Sequence, residues 1–203
     1  MPRIKAGSIG EHKAITRSQI LAATQELLGE TGSADLNLGD VAAVAGIGRT
    51  TLYEYFRDRD DLIATLVEET LPDVIEGLLE RVDRSQSPDL QLLDLAEAVV
   101  EFVALDPVLG VILHKEAPRL GLAAQDRIRM AHTDLQTAVM DSYQEAVKAG
   151  TFRRFPPDLA GRFIQDAMMS AARAVIAAPA PDRRLPEVTQ ALRAFLAHGL
   201  STS

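Results

Sequence analysis

The chain has 203 residues, 47% of them hydrophobic and 25% charged, which is the make-up of a soluble globular protein of one or two small domains. It contains no cysteine, which excludes a disulfide framework, a thiolate zinc site and a cysteine nucleophile. The net charge of −8 is unevenly spread: residues 1–25 hold Arg3, Lys5, Lys13 and Arg17 against Glu11 alone, so a basic start precedes an acidic body, as suits contact with a polyanion at one end only.

Aromatics make up 4% and Trp is absent, so Ala, Leu and Val must fill the core, and that favours helices. No apolar run follows the basic start, as a secretory signal would require, and no window approaches a transmembrane helix in length. A cytoplasmic protein with no membrane partner is expected.

Residues 1–14 are polar and lack a period, and they read as a mobile basic arm. Thr16 with Gln19 forms a capping-box pattern, Ile15 can staple onto Ile20, and Ile20, Ala23, Thr24, Leu27 and Leu28 recur at helical spacing up to Gly32. A second helix follows, with Asn37 as its cap, Asp40 as the reciprocal acid and Gly46 as its stop. Only Gly46, Ile47 and Gly48 separate it from a third. There Ile47, Leu52 and Phe56 form an apolar stripe, while Arg49, Thr50, Thr51, Tyr53 and Tyr55 occupy the other face. Arg pairs bidentately with a guanine edge, Thr offers a hydroxyl and a methyl, and Tyr reaches a phosphate. Two short helices joined by a tight glycine turn make the helix-turn-helix pattern, in which the second helix reads base edges. The two glycines follow a helix and lack a third, so they are no dinucleotide fingerprint.

From Asp58 a long helix is predicted, kinked or broken at Pro72. A polar linker spans 83–89, and further helices are expected over 90–105, 108–115, 122–149, 158–178 and 187–198, with loops at 152–157 and 177–186. No strand and no internal repeat is predicted.

Residues 15–66 resemble the DNA-binding domain of the TetR family of bacterial transcriptional regulators. ITRSQILAATQELLGETG is similar to that family's first helix, NLGDVAAVAGIGRTTLYEYF to its helix-turn-helix, and DRDDLIATL to the start of its fourth helix. The resemblance implies an all-α protein: an N-terminal three-helix DNA-binding domain over 15–60, after the arm of 1–14, then a larger helical effector-binding and dimerisation domain over 61–203. It implies that Arg17 and Asn37 contact the DNA backbone, that Arg49, Thr50 and Thr51 read bases, and that Tyr53 and Tyr55 meet base or phosphate. Arg59 matches a basic position at the start of the fourth helix that grips a phosphate. Three positions depart from the family's pattern: Gly48 stands where Ser or Thr is common, Tyr55 where His is common, and Glu54 where a basic or polar residue is common. Glu54 would repel phosphate.

Further along, the resemblance implies a homodimer and an effector pocket. Helix 158–178 is rich in small residues, which let another helix approach closely. With the last helix it would form a two-fold four-helix bundle, and Phe163, Ala167, Ala171, Val175, Leu192 and Phe195 are its candidate contacts. Candidate ligand contacts are His114, His132, Gln136, Met140, Tyr143, Gln165 and Met168, although each taken alone reads more simply as surface or core. No spacing joins His114, Glu116 and His132 into a metal site, and no hydrolase, P-loop or zincin motif occurs, so neither enzyme activity, metal nor cofactor is expected. The expected function is a repressor that binds a palindromic double-stranded DNA operator as a dimer and is released by a small-molecule effector. The alternatives are an effector-independent regulator or activator, and a ligand carrier with a degenerate head.

Overall fold

The computed structural model describes residues 6–31, 36–106 and 108–202. They form helices α1 (Ala6–Thr31), α2 (Leu38–Val44), α3 (Arg49–Tyr55), α4 (Arg59–Glu80), α5 (Pro88–Leu105), α6 (Leu109–Val111), α7 (Leu122–Ala131), α8 (Thr133–Lys148), α9 (Pro157–Ile176) and α10 (Pro181–Leu200). The architecture is all-helical, as expected. An isolated antiparallel bridge between Phe152 and Ser201 is the extended pairing among the described residues. No helix among them is long and apolar enough to cross a membrane.

The chain divides into two compact units: Met1–Glu69 with Pro107–Ile128, and Thr70–Asp106 with Arg129–Ser203. The first therefore takes in a segment that the sequence reading assigns to the second domain.

In the first unit α1 packs on α2 and α2 on α3. The buried side chains include Val41 and Leu62 together with Ile20, Leu28, Leu52 and Phe56, whose spacing marks the first and third helices in the sequence. The start of α1 differs from expectation. Residues 6–14, read as part of the arm, are helical, and Thr16 caps nothing: its hydroxyl donates to the His12 carbonyl at 3.0 Å from within the helix. Ala6, Glu11, Lys13 and Ala14 are good helix formers and no Pro interrupts them, while a Thr in mid-helix is satisfied by the carbonyl one turn back. Residues 1–5, with Arg3 and Lys5, lie outside the described residues.

Helix α4 opens with an exchange of caps. The Asp58 carboxylate accepts from the Asp61 amide at 2.8 Å, and the Asp61 carboxylate accepts from the Arg57 amide at 2.9 Å. The expected break at Pro72 does not occur; α4 continues to Glu80 with Pro72 exposed inside it. One missing donor costs one rung of the ladder, and the apolar face on both sides of it, with Leu71, Ile75 and Leu78 buried, keeps the helix in place. After α6 the backbone makes a π-helical turn, Ile112–Glu116, then a 3-10 turn, Ala117–Arg119, in place of one short helix.

In the second unit α5 packs against α8, α9 and α10 and is buried nearly all round through Leu92, Leu93, Leu95, Val99, Val100 and Val103. The predicted 122–149 helix is divided at His132, where the Thr133 hydroxyl donates to the Met130 carbonyl at 2.7 Å and competes with the ladder. Helix α8 closes at Gly150, φ +80, with the Thr151 amide donating to the Ala146 carbonyl at 3.0 Å. Helix α10 begins at Pro181, so the predicted loop shrinks to 177–180; Pro suits the first helical position, and Pro186 falls early in the helix.

Candidate nucleic-acid interface

The turn between α2 and α3 is fixed by the backbone. Gly46 has φ +68, the Ile47 amide donates to the Ala42 carbonyl at 3.0 Å and the Gly46 amide to the Ala43 carbonyl at 3.1 Å. This is a Schellman closure, and it needs a residue that accepts left-handed backbone. Asn37 caps α2, its side-chain oxygen accepting from the Gly39 amide at 2.8 Å.

Helix α3 then presents two faces. Leu52 and Phe56, four apart, are buried in the first unit. Arg49, Thr50 and Tyr53 are exposed on the other side, Tyr53 by 47%, while Thr51 and Tyr55 are half-buried beside them. Glu54 is exposed as well and contributes the one carboxylate of this helix. The face offers a guanidinium, two aliphatic hydroxyls and two phenols within two turns, which is a hydrogen-bonding surface for base edges and phosphates.

The two flanking arginines are placed differently. Arg17, half-buried on α1, pairs with Glu69 and lies over the Phe56 ring, 5.9 Å from its centroid. Arg59, at the start of α4, pairs with Glu116, which is 0% exposed. So Arg49, Thr50 and Tyr53 share one open face, and Arg17 and Arg59 are held in ion pairs inside the unit.

The first unit also holds a polar cluster on α4 and α7 that has no signal in the sequence. Arg127 donates through Nε and Nη2 to both Glu68 oxygens, at 2.8 and 2.5 Å, through Nη1 to Asp61 at 2.6 Å, and through Nη2 to the Thr65 hydroxyl at 2.8 Å. Burial would push the Asp61 carboxyl up, but the Arg57 amide and the Arg127 guanidinium outweigh it and hold it below its usual range. Arg127 is pushed the other way, firmly charged, first by its hydrogen bonds to Glu68. The Asp60 carboxylate accepts from the Gly121 amide at 2.7 Å. Periodicity could not have signalled these contacts, because the partners lie about sixty residues apart.

In the second unit the candidate ligand residues are divided between surface and core. Gln136 and Gln165 are exposed, His132 stands at the start of α8, and Tyr143 and Met168 are buried in the core. The Tyr143 hydroxyl accepts from the Phe155 amide at 2.8 Å and donates to the Arg153 carbonyl at 3.0 Å, so it anchors the loop before α9. Met140 is half-buried, its sulfur against Gly161. The side chain of His114 lies outside the described residues. A groove of about 480 Å³ between α8 and the α4–α5 turn is lined by others, among them Arg84, Gln91, Asp134, Asp141 and Glu145.

Of the candidate dimer contacts, Phe163 and Phe195 are 52% and 66% exposed, and Ala167 and Ala171 are half-buried. Val175 and Leu192 pack inward within the subunit. Ala167, Ala171, Ala174, Ala191 and Phe195 line a shallow groove of about 420 Å³ along α9 and α10.

A capped helix, a glycine-closed turn and a polar-faced second helix on a small helical core define a helix-turn-helix DNA-binding protein. Two family models match the chain: "Bacterial regulatory proteins, tetR family" over residues 20–66 and "Tetracyclin repressor-like, C-terminal domain" over residues 91–200. The transcriptional repressor KstR2 of Mycolicibacterium smegmatis is 30% identical over 159 residues, covering 75% of this chain and 76% of that protein. The repressor LfrR of the same organism is 33% identical over 113 residues, covering 52% of this chain and 56% of that protein. The chain belongs to the TetR family and is a DNA-binding transcriptional regulator. Its fold matches that of FadR from Bacillus subtilis, solved with stearoyl-CoA, with a TM-score of 0.75 at 19% identity over 90% of this chain and 98% of that one. It also matches KstR2 of Mycobacterium tuberculosis, with a TM-score of 0.63 at 22% identity over 92% of this chain and 95% of that one.

Proposed function

We propose that the protein is a cytoplasmic repressor that binds a palindromic operator as a homodimer and leaves it when a small-molecule effector occupies the second unit. The observation that carries the DNA-reading part is the exposed face of Arg49, Thr50 and Tyr53 on a helix whose entry is fixed by Gly46. One short helix spans few base pairs, so two heads about 34–36 Å apart are needed for specificity. The relatives named repressors support the direction of regulation, and the fold shared with a regulator solved with stearoyl-CoA favours an amphipathic effector. By linkage, such an effector acts through its differential affinity for the operator-competent and incompetent conformations.

The test begins with selection of bound duplexes from a random pool, and a palindromic consensus is expected. On that site Arg49→Ala should lose about 1–3 kcal/mol and relax preference at one base position. Unchanged affinity and preference in the variant would remove Arg49 from the reading face. A reporter driven by the selected site should be silenced by the protein; activation would reverse the proposed sign.

A further inference from the structure

Glu54 stands at the crest of α3. At about 100° per residue it lies about 180° from the midpoint of Leu52 and Phe56, which bury the opposite face, with Thr50 about 140° and Thr51 about 120° from it. Its side chain is exposed and makes no hydrogen bond or ion pair among the described residues. Arg57, the nearest cation along the chain, directs its Nε to the Asp58 carboxylate at 3.1 Å. Helix α3 has seven residues, a length of about 10 Å, so it lies within a major groove about 12 Å wide with both of its turns toward the bases.

A carboxylate only accepts hydrogen bonds. In the major groove guanine presents two acceptors, N7 and O6, and thymine presents O4 and a methyl group. Adenine sets its N6 donor beside the N7 acceptor, whereas cytosine presents the N4 donor with no acceptor on its own edge. Against the other bases a carboxylate gives up water and meets acceptors or a methyl group. We propose that Glu54 is a specificity-determining residue that reads cytosine, its carboxylate accepting from a cytosine N4 amino group in each half-site. The selection works by exclusion as much as by attraction, because the same charge repels phosphate on any sequence that supplies no donor. The inference rests on the DNA-binding reading above.

The test puts the full chain, Glu54→Ala and Glu54→Gln through selection from a random duplex pool. Anisotropy titrations then compare duplexes with each of the four base pairs at the position that changes. The native chain should bind the cytosine duplex about 5- to 150-fold better than the others. Glu54→Ala should bind all four nearly alike, and that loss of preference is the deciding result. Glu54→Gln, whose amide both donates and accepts, should turn the preference to adenine while the rest of the consensus is kept. A consensus identical in native chain and variants would overturn the proposal. So would a gain in Glu54→Ala on every sequence alike, which would make the carboxylate a solvated charge beside the backbone. If native chain and variants alike select no sequence, the reading face itself falls, and Glu54 with it.

Discussion

Arg127 shows what a single residue can organise across a long stretch of chain. Its planar fork meets Glu68 bidentately and reaches Asp61 and Thr65 at the same time. Arg127→Ala should destabilise the protein by about 1–3 kcal/mol, read from urea denaturation, with Arg127→Lys recovering only part because a point charge cannot reproduce the fork. The loss should depend on pH. Asp61 is depressed below its ordinary 3.8, so its contribution is fully present above that value and disappears as pH falls through the lower folded-state value. The native–variant difference should therefore shrink under acid; a constant difference would place the effect in packing rather than in the ion pairs. Arg49, Thr50 and Tyr53 could be singled out from the sequence because their neighbours Leu52 and Phe56 betray which face is buried. Arg127 could not be, because its partners sit on α4 and only the fold brings them near.

At the scale of the element, what could be read from the sequence followed local chemistry. The Asn37 cap and the Gly46 closure are short-range hydrogen-bond patterns, and α2 and α3 form within the limits they set. The beginning of α1 was misjudged because Thr16 resembles a cap but bonds backward within a longer helix, and α4 outlasts Pro72 because its buried face outweighs one lost rung. The π turn at 112–116 leaves no mark in periodicity. Gly46 and Gly48 separate cleanly by backbone. Gly48, at φ −71 and ψ 146, lies in a region open to any residue, whereas Gly46 at φ +68 does not. Gly46→Ala meets no steric obstacle nearby, so its penalty is that of the left-handed backbone, about 1–2 kcal/mol. Thermal denaturation should show that loss, and operator affinity should fall with it as α3 shifts. A variant as stable as the native protein would mean that the turn can relax to another closure.

For the whole molecule, the proposed reading surface of an acidic chain is small and local, and under the proposed function a second copy is needed to specify a site. The proposed pairing face is that of α9 and α10: small residues and Phe195 line its groove, and Phe163 of α9 is also exposed, edge-on to Phe155 at 6.3 Å. Val175 and Leu192, also candidates from the sequence, are committed to the subunit's own core, so substituting them would confound folding with assembly. Phe195 avoids this because it is 66% exposed and contributes little to the isolated subunit. Phe195→Glu should leave the unfolding transition of the subunit nearly unchanged while placing two carboxylates against an apolar partner surface, at a cost of several kcal/mol when desolvated. Sedimentation velocity should then find a monomer, with operator affinity lowered together with the dimer population. A variant that sediments as the native dimer would move the interface away from this face of α9 and α10.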